Sequence, residues 1–298
     1  MKRLSEDQIA FYREQGYLVL PDAIDRDRIA EFSRIVDGWT DQAKGVRQSD
    51  DFFDLEDSHS PDAPRVRRFK SPVRNHAAFD ALARDPAVLA LIAPLIGDAI
   101  RLSPPDNKIN IKAPAYGAAV EWHQDWAFYP HTNDDLLAIG VALDDCAEEN
   151  GPLMVIPGSH KGPVYDHHTD GFFCGAIDPD AADIDFSKAV ALTGSVGTMT
   201  IHHARTLHGS ALNTSSKPRR LLLIMYAAAD AWPLLGVGDL ESFNSDLVCG
   251  QPTLAPRLAD VPVRMPLPPP PVDGSIYERQ SFLENRYFDV YREPAPAK

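Results

Sequence analysis

The feature that most constrains the fold is a run of short extended segments, separated by clusters of Gly, Pro, Asn and Asp, that begins near Ile109. The clearest segments are residues 109–112, 136–143, 153–156, 198–201 and 221–226. Parallel strands need long crossover connections, whereas antiparallel strands can follow one another through short turns. The pattern therefore favours a sandwich or jelly roll over a parallel α/β sheet.

Helices are predicted before this strand region. Ser5 and Asp25 each precede a helical pattern, and their side-chain oxygens can accept the free N–H groups of a first turn. The predicted helices cover residues 6–14, a segment that begins at Asp25, and residues 85–97, with a short strand at 17–20 between the first two. We therefore predict a mainly β fold with flanking helices.

The 298 residues are enough to bury one large core, and we predict a single domain over residues 1–298. It divides into an N-terminal elaboration (1–105), a jelly-roll core (106–232) and a C-terminal extension (233–298). Local predictions are a mobile acidic loop at 50–63, extended surface chain at 264–271 with four consecutive prolines, and a last helix at 277–291.

The charge balance excludes several classes of partner. The chain has 43 acidic and 29 basic residues and a formal net charge of −14, which argues against nucleic acid and anionic membranes as partners. Its three cysteines are scattered, and the N-terminus has no apolar segment typical of a signal peptide. We expect a cytoplasmic protein without a membrane partner, either a monomer or a homodimer.

A candidate metal site begins at His123 and Asp125. In a strand, residues two apart point to the same face, so this imidazole and carboxylate would lie side by side. A second histidine would complete a 2-His-1-carboxylate triad, and His208 is the best candidate because Gly209 follows it. The alternatives His202 and His203 are not followed by such a glycine. His160 is predicted to be structural, because it follows a Pro-Gly-Ser turn. The two histidines at 167–168 are predicted to lie in a flexible loop.

An anion site is predicted at Arg219, eleven positions after His208 and at the start of the apolar strand 221–226. An arginine that points into a barrel is costly unless it meets an anion, and its planar guanidinium matches a carboxylate well. The distal carboxylate of a dicarboxylic co-substrate is its natural partner.

These motifs together resemble the phytanoyl-CoA dioxygenase family. The residues that carry the resemblance are His123-Gln124-Asp125, Tyr129-Pro130, Asp144-Asp145, Asn150-Gly151-Pro152-Leu153, Ile156 to Gly162, His208-Gly209-Ser210 and Arg219. The resemblance implies a double-stranded β-helix, and its expected site residues are iron(II) ligands at His123, Asp125 and His208, with 2-oxoglutarate contacts at Arg219, Ser210 and Lys108. Relatives often carry a Trp where this chain has Gly140, and Trp126 could fill part of that space.

The resemblance also implies an activity. It predicts a dioxygenase that uses iron(II), 2-oxoglutarate and O2 to oxidise, and in particular to hydroxylate, a small organic molecule or natural-product intermediate, with release of succinate and CO2. A carboxylate at Asp125 argues against halogenation, because related halogenases leave that position open for chloride. The predicted substrate contacts are Trp126, Phe128, Tyr129 and Trp232.

Two alternatives remain at the level of sequence. One is a jelly-roll protein that binds a small molecule without catalysis. The other is a metal-dependent hydrolase that uses the same three ligands, because His and Asp accept several metals. The intact triad argues against the binding protein, and Arg219 argues against the hydrolase, since a hydrolase has no need for an anion clamp at that spacing.

Overall fold

Antiparallel strands form the framework of the computed structural model, which describes residues 3–102, 107–114, 117–271, 274–283 and 285–290. The strands are β1 (Tyr17–Leu20), β2 (Phe53–Leu55), β3 (Val66–Lys70), β4 (Ile100–Leu102), β5 (Lys108–Lys112), β6 (Val120–His123), β7 (Leu136–Ala142), β8 (Leu153–Val155), β9 (His168–Thr169), β10 (Phe172–Phe173), β11 (Val190–Leu192), β12 (Met199–His203), β13 (His208–Ser210), β14 (Arg219–Ala228) and β15 (Leu247–Cys249). The helices are α1 (Glu6–Gln15), α2 (Arg26–Gln42), α3 (Pro72–Asn75), α4 (Ala77–Ala83), α5 (Pro86–Ile96), α6 (Leu240–Ser245) and α7 (Ile276–Arg279). None of the described helices combines the length and apolarity needed to cross a bilayer.

The strands form two main sheets and a small ribbon. The larger sheet has the order β1-β12-β7-β14-β5-β3-β2, with β4 beside β14 and β15 beside β4. The smaller sheet has the order β11-β8-β13-β6, and β9 pairs with β10. Side chains from both sheets line one cavity, as in a double-stranded β-helix. The predicted mainly β fold with flanking helices is confirmed.

Strand β14 shows how the larger sheet separates the core from the cavity. Leu222 and Ile224 join the large hydrophobic cluster that also contains residues of α2, α4 and α5. Leu221 and Leu223 alternate with them and face the cavity. The helices therefore cover the outer face of the sheet, and its inner face remains available for a site.

The N-terminal elements follow local rules and agree with the prediction to within one residue. Ser5 and Gln8 form a capping box at the start of α1, and Gly16 ends the helix with φ 80°. A Cβ at position 16 would lie 2.5 Å from Nδ1 of His160, so both the backbone conformation and the packing require glycine there. His160 has the structural role that its turn motif predicted.

Two local predictions are wrong. Residues 50–63 are not a purely mobile loop, because β2 lies inside this segment and its Asp54 is buried. The expected helix at 277–291 is only the four-residue α7, followed by a 3₁₀ turn at Gln280–Phe282. The predicted end of that helix, Tyr291, lies outside the described residues. The predicted domain boundary between residues 105 and 106 also lies outside them.

Asp54 orders this segment by pairing with two arginines of β3. Its Oδ1 lies 2.9 Å from Nη2 of Arg67, and its Oδ2 lies 3.2 Å from Nε of Arg68. All three side chains are buried. The acidic composition of the segment suggested solvent exposure, but a non-local ion pair fixes it against the sheet.

We expect Asp54→Ala to lower the free energy of unfolding by about 3–5 kcal/mol, because it leaves the buried guanidinium of Arg68 without a carboxylate partner among the described residues and that of Arg67 with Glu278 alone. Asp41→Ala is the control, since the pair between Asp41 and Lys44 is exposed and should contribute less than about 1 kcal/mol. Urea unfolding of both variants measures the difference. Equal stabilities would contradict the structural role of Asp54.

Candidate metal centre

The candidate metal centre is built where β6 pairs with β13. The register places His208 directly opposite His123, and the two ring centroids lie 4.1 Å apart. Asp125 is not on the strand, as strand alternation had suggested, but in the 3₁₀ turn Asp125–Ala127 that follows β6. The turn still brings its carboxylate to the same place, so that one potential ligand atom from each of the three residues lies within 4.8 Å of the other two.

Backbone hydrogen bonds orient both imidazoles. Nδ1 of His123 lies 2.8 Å from the carbonyl oxygen of Glu121, and Nδ1 of His208 lies 2.9 Å from that of Thr206. A neutral ring that donates through Nδ1–H keeps the lone pair of Nε2 free for a metal ion. The two Nε2 atoms lie 3.8 and 3.7 Å from the carboxylate oxygens of Asp125.

Burial sets the charge state of this group. Burial lowers the pKa of His123 well below its ordinary value and that of His208 to about 4, which favours neutral imidazoles. Burial alone would raise the pKa of Asp125, but His208, His202 and Lys108 outweigh it and hold this pKa well below its ordinary value. Two neutral imidazoles and one buried carboxylate are a donor set that fits iron(II).

Buried basic side chains lie on the larger sheet, where Arg219 lines the cavity and Lys112 is its neighbour outside the lining. Arg219 is 2% exposed, and its Nε donates to the carbonyl oxygen of Gly151 at 3.1 Å. Lys112 stands opposite it in the register of β5 and β14, and its Nζ donates to the carbonyl oxygen of Ser210 at 3.1 Å. Among the described residues, neither forms an ion pair with a carboxylate. An anionic ligand would supply the missing counter-charge.

The pKa values of both groups reflect this shortage of negative charge. Burial lowers the pKa of Arg219, and burial together with the charge of Arg219 lowers the pKa of Lys112 well below its ordinary value. Sequence reasoning identified Arg219 but missed Lys112. The alternation of Lys108, Asn110 and Lys112 along one face of β5 was the signal that could have found it.

The structure places the predicted co-substrate contacts around one cavity. Lys108, Ser210 and Arg219 all line it, together with the metal group and Asn110, whose buried Oδ1 has no hydrogen-bond partner among the described residues. At Gly140, a Cβ would lie 2.5 Å from Oγ1 of Thr200. Thr200 therefore occupies the space of a larger side chain, and the expectation that Trp126 fills it is wrong.

The four aromatic residues predicted to contact substrate are not among those that line the cavity. The ring of Phe128 lies 5.8 Å from that of His123, and the hydroxyl of Tyr129 donates to Sδ of Met225, which does line the cavity. Trp126 is fully buried and donates to the carbonyl oxygen of Pro262. Trp232 packs against Phe243 at 5.1 Å.

Two further histidines lie near this group, and the sequence-based expectation is wrong for the first of them. His167 was expected in a flexible loop, but it is 1% exposed and its Nε2 accepts a hydrogen bond from the N–H of Gln124 at 2.9 Å. It therefore holds the segment between the two predicted ligands His123 and Asp125. His202, considered only as a second choice, faces the cavity and its Nε2 lies 3.4 Å from Oδ2 of Asp125.

The chain is similar to known proteins. The model of the phytanoyl-CoA dioxygenase family matches residues 12–221. A probable alpha-ketoglutarate-dependent hypophosphite dioxygenase of Stutzerimonas stutzeri is 41% identical over 281 residues, which cover 93% of this chain and 97% of that protein. An L-proline trans-4-hydroxylase of Streptomyces griseoviridis is 36% identical over 165 residues, which cover 49% of this chain and 61% of that protein.

Solved structures agree with the architecture. EctD from S. alaskensis with bound Fe is similar with a TM-score of 0.65 at 24% identity, covering 87% of this chain and 88% of that one. The same protein with 2-oxoglutarate and 5-hydroxyectoine gives a TM-score of 0.62 at 25% identity, covering 76% and 77%. The first likeness supports the double-stranded β-helix fold.

We expect replacement of His123, Asp125 or His208 by Ala to weaken iron(II) or manganese(II) binding by at least about 100-fold, because each substitution removes one of three donors. Loss of a residue that is only hydrogen-bonded to a metal ligand already weakens binding by about 10–100-fold. His131→Ala is the matched control, because His131 is also buried and has the same kind of hydrogen bond, to the carbonyl oxygen of Tyr129, away from the cavity. Metal content after anaerobic dialysis measures the result. A variant of the three that keeps its metal would contradict the assignment of that residue.

Proposed function

This chain belongs to the phytanoyl-CoA dioxygenase family and is an iron(II)- and 2-oxoglutarate-dependent dioxygenase, and from that premise we propose the roles of its cavity residues and its substrate class. The metal is held by His123, Asp125 and His208. The observation that carries this proposal is the buried cluster of three ligand atoms, in which both Nδ1 atoms are already bound to backbone carbonyls.

The co-substrate extends from this centre toward Arg219. The guanidinium of Arg219 takes the distal carboxylate of 2-oxoglutarate, and the hydroxyl of Ser210 on the neighbouring wall is a second contact. Lys112 lies beside Arg219 in the register of β5 and β14, and Lys108 provides positive charge at the metal end. The bound anion offsets the cost of burying these basic groups.

When bound, iron(II) and 2-oxoglutarate supply the activation of O2, in which one oxygen atom enters succinate, CO2 is released and the other oxygen atom enters the substrate. The chain itself binds and shields the reactants. Leu153, Leu221 and Leu223 give the cavity an apolar wall that limits access of water. Asp125 fills the carboxylate position, so this position is closed to a halide.

We propose hypophosphite as the substrate to test first. The relative that bears this activity in its name aligns over 93% of the chain, whereas the proline hydroxylase aligns over 49%. The cavity leaves only about 40 Å³ of free space between its lining side chains, which favours a small substrate, and the charge of Lys108 on its wall favours an anion.

The balanced reaction is the conversion of one P–H bond of hypophosphite to P–OH, which gives phosphite. Phosphorus loses two electrons, 2-oxoglutarate loses two as it becomes succinate and CO2, and O2 accepts all four. This proposal differs from the small organic substrate expected from sequence. Hydroxylation of L-proline is the second candidate, supported by the 36% identity to the proline hydroxylase.

We expect the anaerobically reconstituted enzyme to form phosphite and succinate in equal amounts from hypophosphite, 2-oxoglutarate and air. Phosphorus NMR measures phosphite, and chromatography measures succinate. L-proline and ectoine serve as comparison substrates under the same conditions. Succinate formation that L-proline stimulates and hypophosphite does not would overturn the substrate proposal but leave the enzyme class intact.

We also expect Arg219→Gln to raise the KM for 2-oxoglutarate by about tenfold to a hundredfold, because a hydrogen bond to a charged group contributes about 1.5–3 kcal/mol. Arg220→Gln is the matched control, since the next side chain on β14 pairs with Asp144 and Asp37 outside the cavity. Succinate release at varied 2-oxoglutarate measures both variants. An unchanged KM in Arg219→Gln would remove Arg219 from the co-substrate site.

A further inference from the structure

His202 is the one histidine of β12 that reaches the metal cavity. Its side chain is buried, its ring lies 4.5 Å from the ring of His208, and its Nε2 lies 3.4 Å from Oδ2 of Asp125. The next residue, His203, points to the opposite face of the strand, where it packs against His160. The two neighbours therefore differ in their environment although both are largely buried.

His202 is placed beside the metal group rather than in it. The cluster of mutually close ligand atoms comprises His123, Asp125 and His208 and does not include it. His202 belongs to the larger sheet, opposite Ala138 of β7, whereas the two ligand histidines belong to the smaller sheet. It thus reaches Asp125 from the other sheet, and its hydrogen bond to this group is the one to that carboxylate.

The hydrogen bond from His202 has no substitute in the described part of the chain. Asp125 lies in a 3₁₀ turn, where strand pairing does not restrain it. Among the described residues, no other side chain or backbone N–H donates a hydrogen bond to its carboxylate; the two ligand imidazoles are 3.7 and 3.8 Å away. The hydrogen bond from His202 therefore restrains the rotation of the Asp125 carboxylate.

An imidazole at position 202 also destabilises the folded protein. Its Nδ1 is buried and has no hydrogen-bond partner among the described residues. An unpaired buried polar atom destabilises a protein, and an apolar ring of similar size would avoid that cost. The bond to Asp125 is the interaction that a phenyl ring could not provide.

We infer that His202 is a positioning residue, whose Nε2–H donates to Oδ2 of Asp125 and fixes the orientation in which this carboxylate meets the metal. The inference rests on the proposed role of Asp125 as a ligand. Hydrogen-bonded outer partners of this kind commonly set the affinity of a metal site and the geometry of its ligands. A non-ligand histidine would here orient a ligand carboxylate from the facing sheet.

The test measures metal binding directly and does not depend on turnover. Manganese(II) affinity is determined by calorimetry, and the cobalt(II) absorption spectrum reports the ligand geometry. The variants are His202→Phe, which removes the donor, and His202→Gln, whose amide can donate in its place. His203→Phe is the matched control on the opposite face of β12. Circular dichroism establishes that each variant is folded.

We expect His202→Phe to weaken manganese(II) binding by about 10–100-fold and to change the cobalt(II) spectrum. His202→Gln should restore most of the affinity, and His203→Phe should match the wild type. If His202→Phe does not fold, His202→Met takes its place as the variant without a donor.

Three results would overturn the inference. These are wild-type affinity and spectrum in the variant without a donor, an affinity in His202→Gln as low as in that variant, or an equal loss in His203→Phe. Absence of manganese(II) binding by the wild type is a separate result, which would overturn the proposed metal centre itself.

Discussion

The site depends on the register between β6 and β13. Pairing His208 with His123 joins two residues 85 positions apart and sets their rings 4.1 Å from each other. Because side chains alternate along a strand, a shift of one residue would turn one of the two rings away from the cavity. A β-bulge between His208 and Ser210 shifts the register by one residue, and Ser210 then lies opposite Val120 beside the cavity, so one strand pair carries two proposed metal ligands and a proposed co-substrate contact.

Buried charge gives this cavity its chemical character. The carboxylate of Asp125 and the guanidinium of Arg219 both line it, and Arg219 has no carboxylate partner in the described chain. Such groups are costly to bury alone, and ligands of opposite charge offset that cost. The arrangement fits the proposed cation at Asp125 and the proposed anion at Arg219, and either ligand would stabilise the folded state by mass action.

The sequence predicted those parts of the molecule that follow local rules. The cap at Ser5, the turn at Gly16 and the apolar strand that became β14 were all visible as patterns of neighbouring residues. The parts that it did not predict depend on distant contacts. Asp54 lies in an acidic segment that was predicted to be a mobile loop, but its arginine partners on β3 fix it against the sheet. His167 was predicted to lie in a flexible loop, but its hydrogen bond to the backbone of Gln124 holds it in place.

The two sheets carry different parts of the proposed site, so residues that line the cavity can change while the proposed metal ligands stay the same. The proposed ligand histidines lie on the smaller sheet, whereas Lys108 and Arg219 line the cavity from the larger one. Substitutions on the inner face of β5 or β14 can therefore alter charge and volume beside the proposed metal centre without disturbing the pairing of β6 with β13. Gly140 limits such changes behind this face, because a Cβ there would lie 2.5 Å from Oγ1 of Thr200 and 3.4 Å from Cδ1 of Leu221, which lines the cavity.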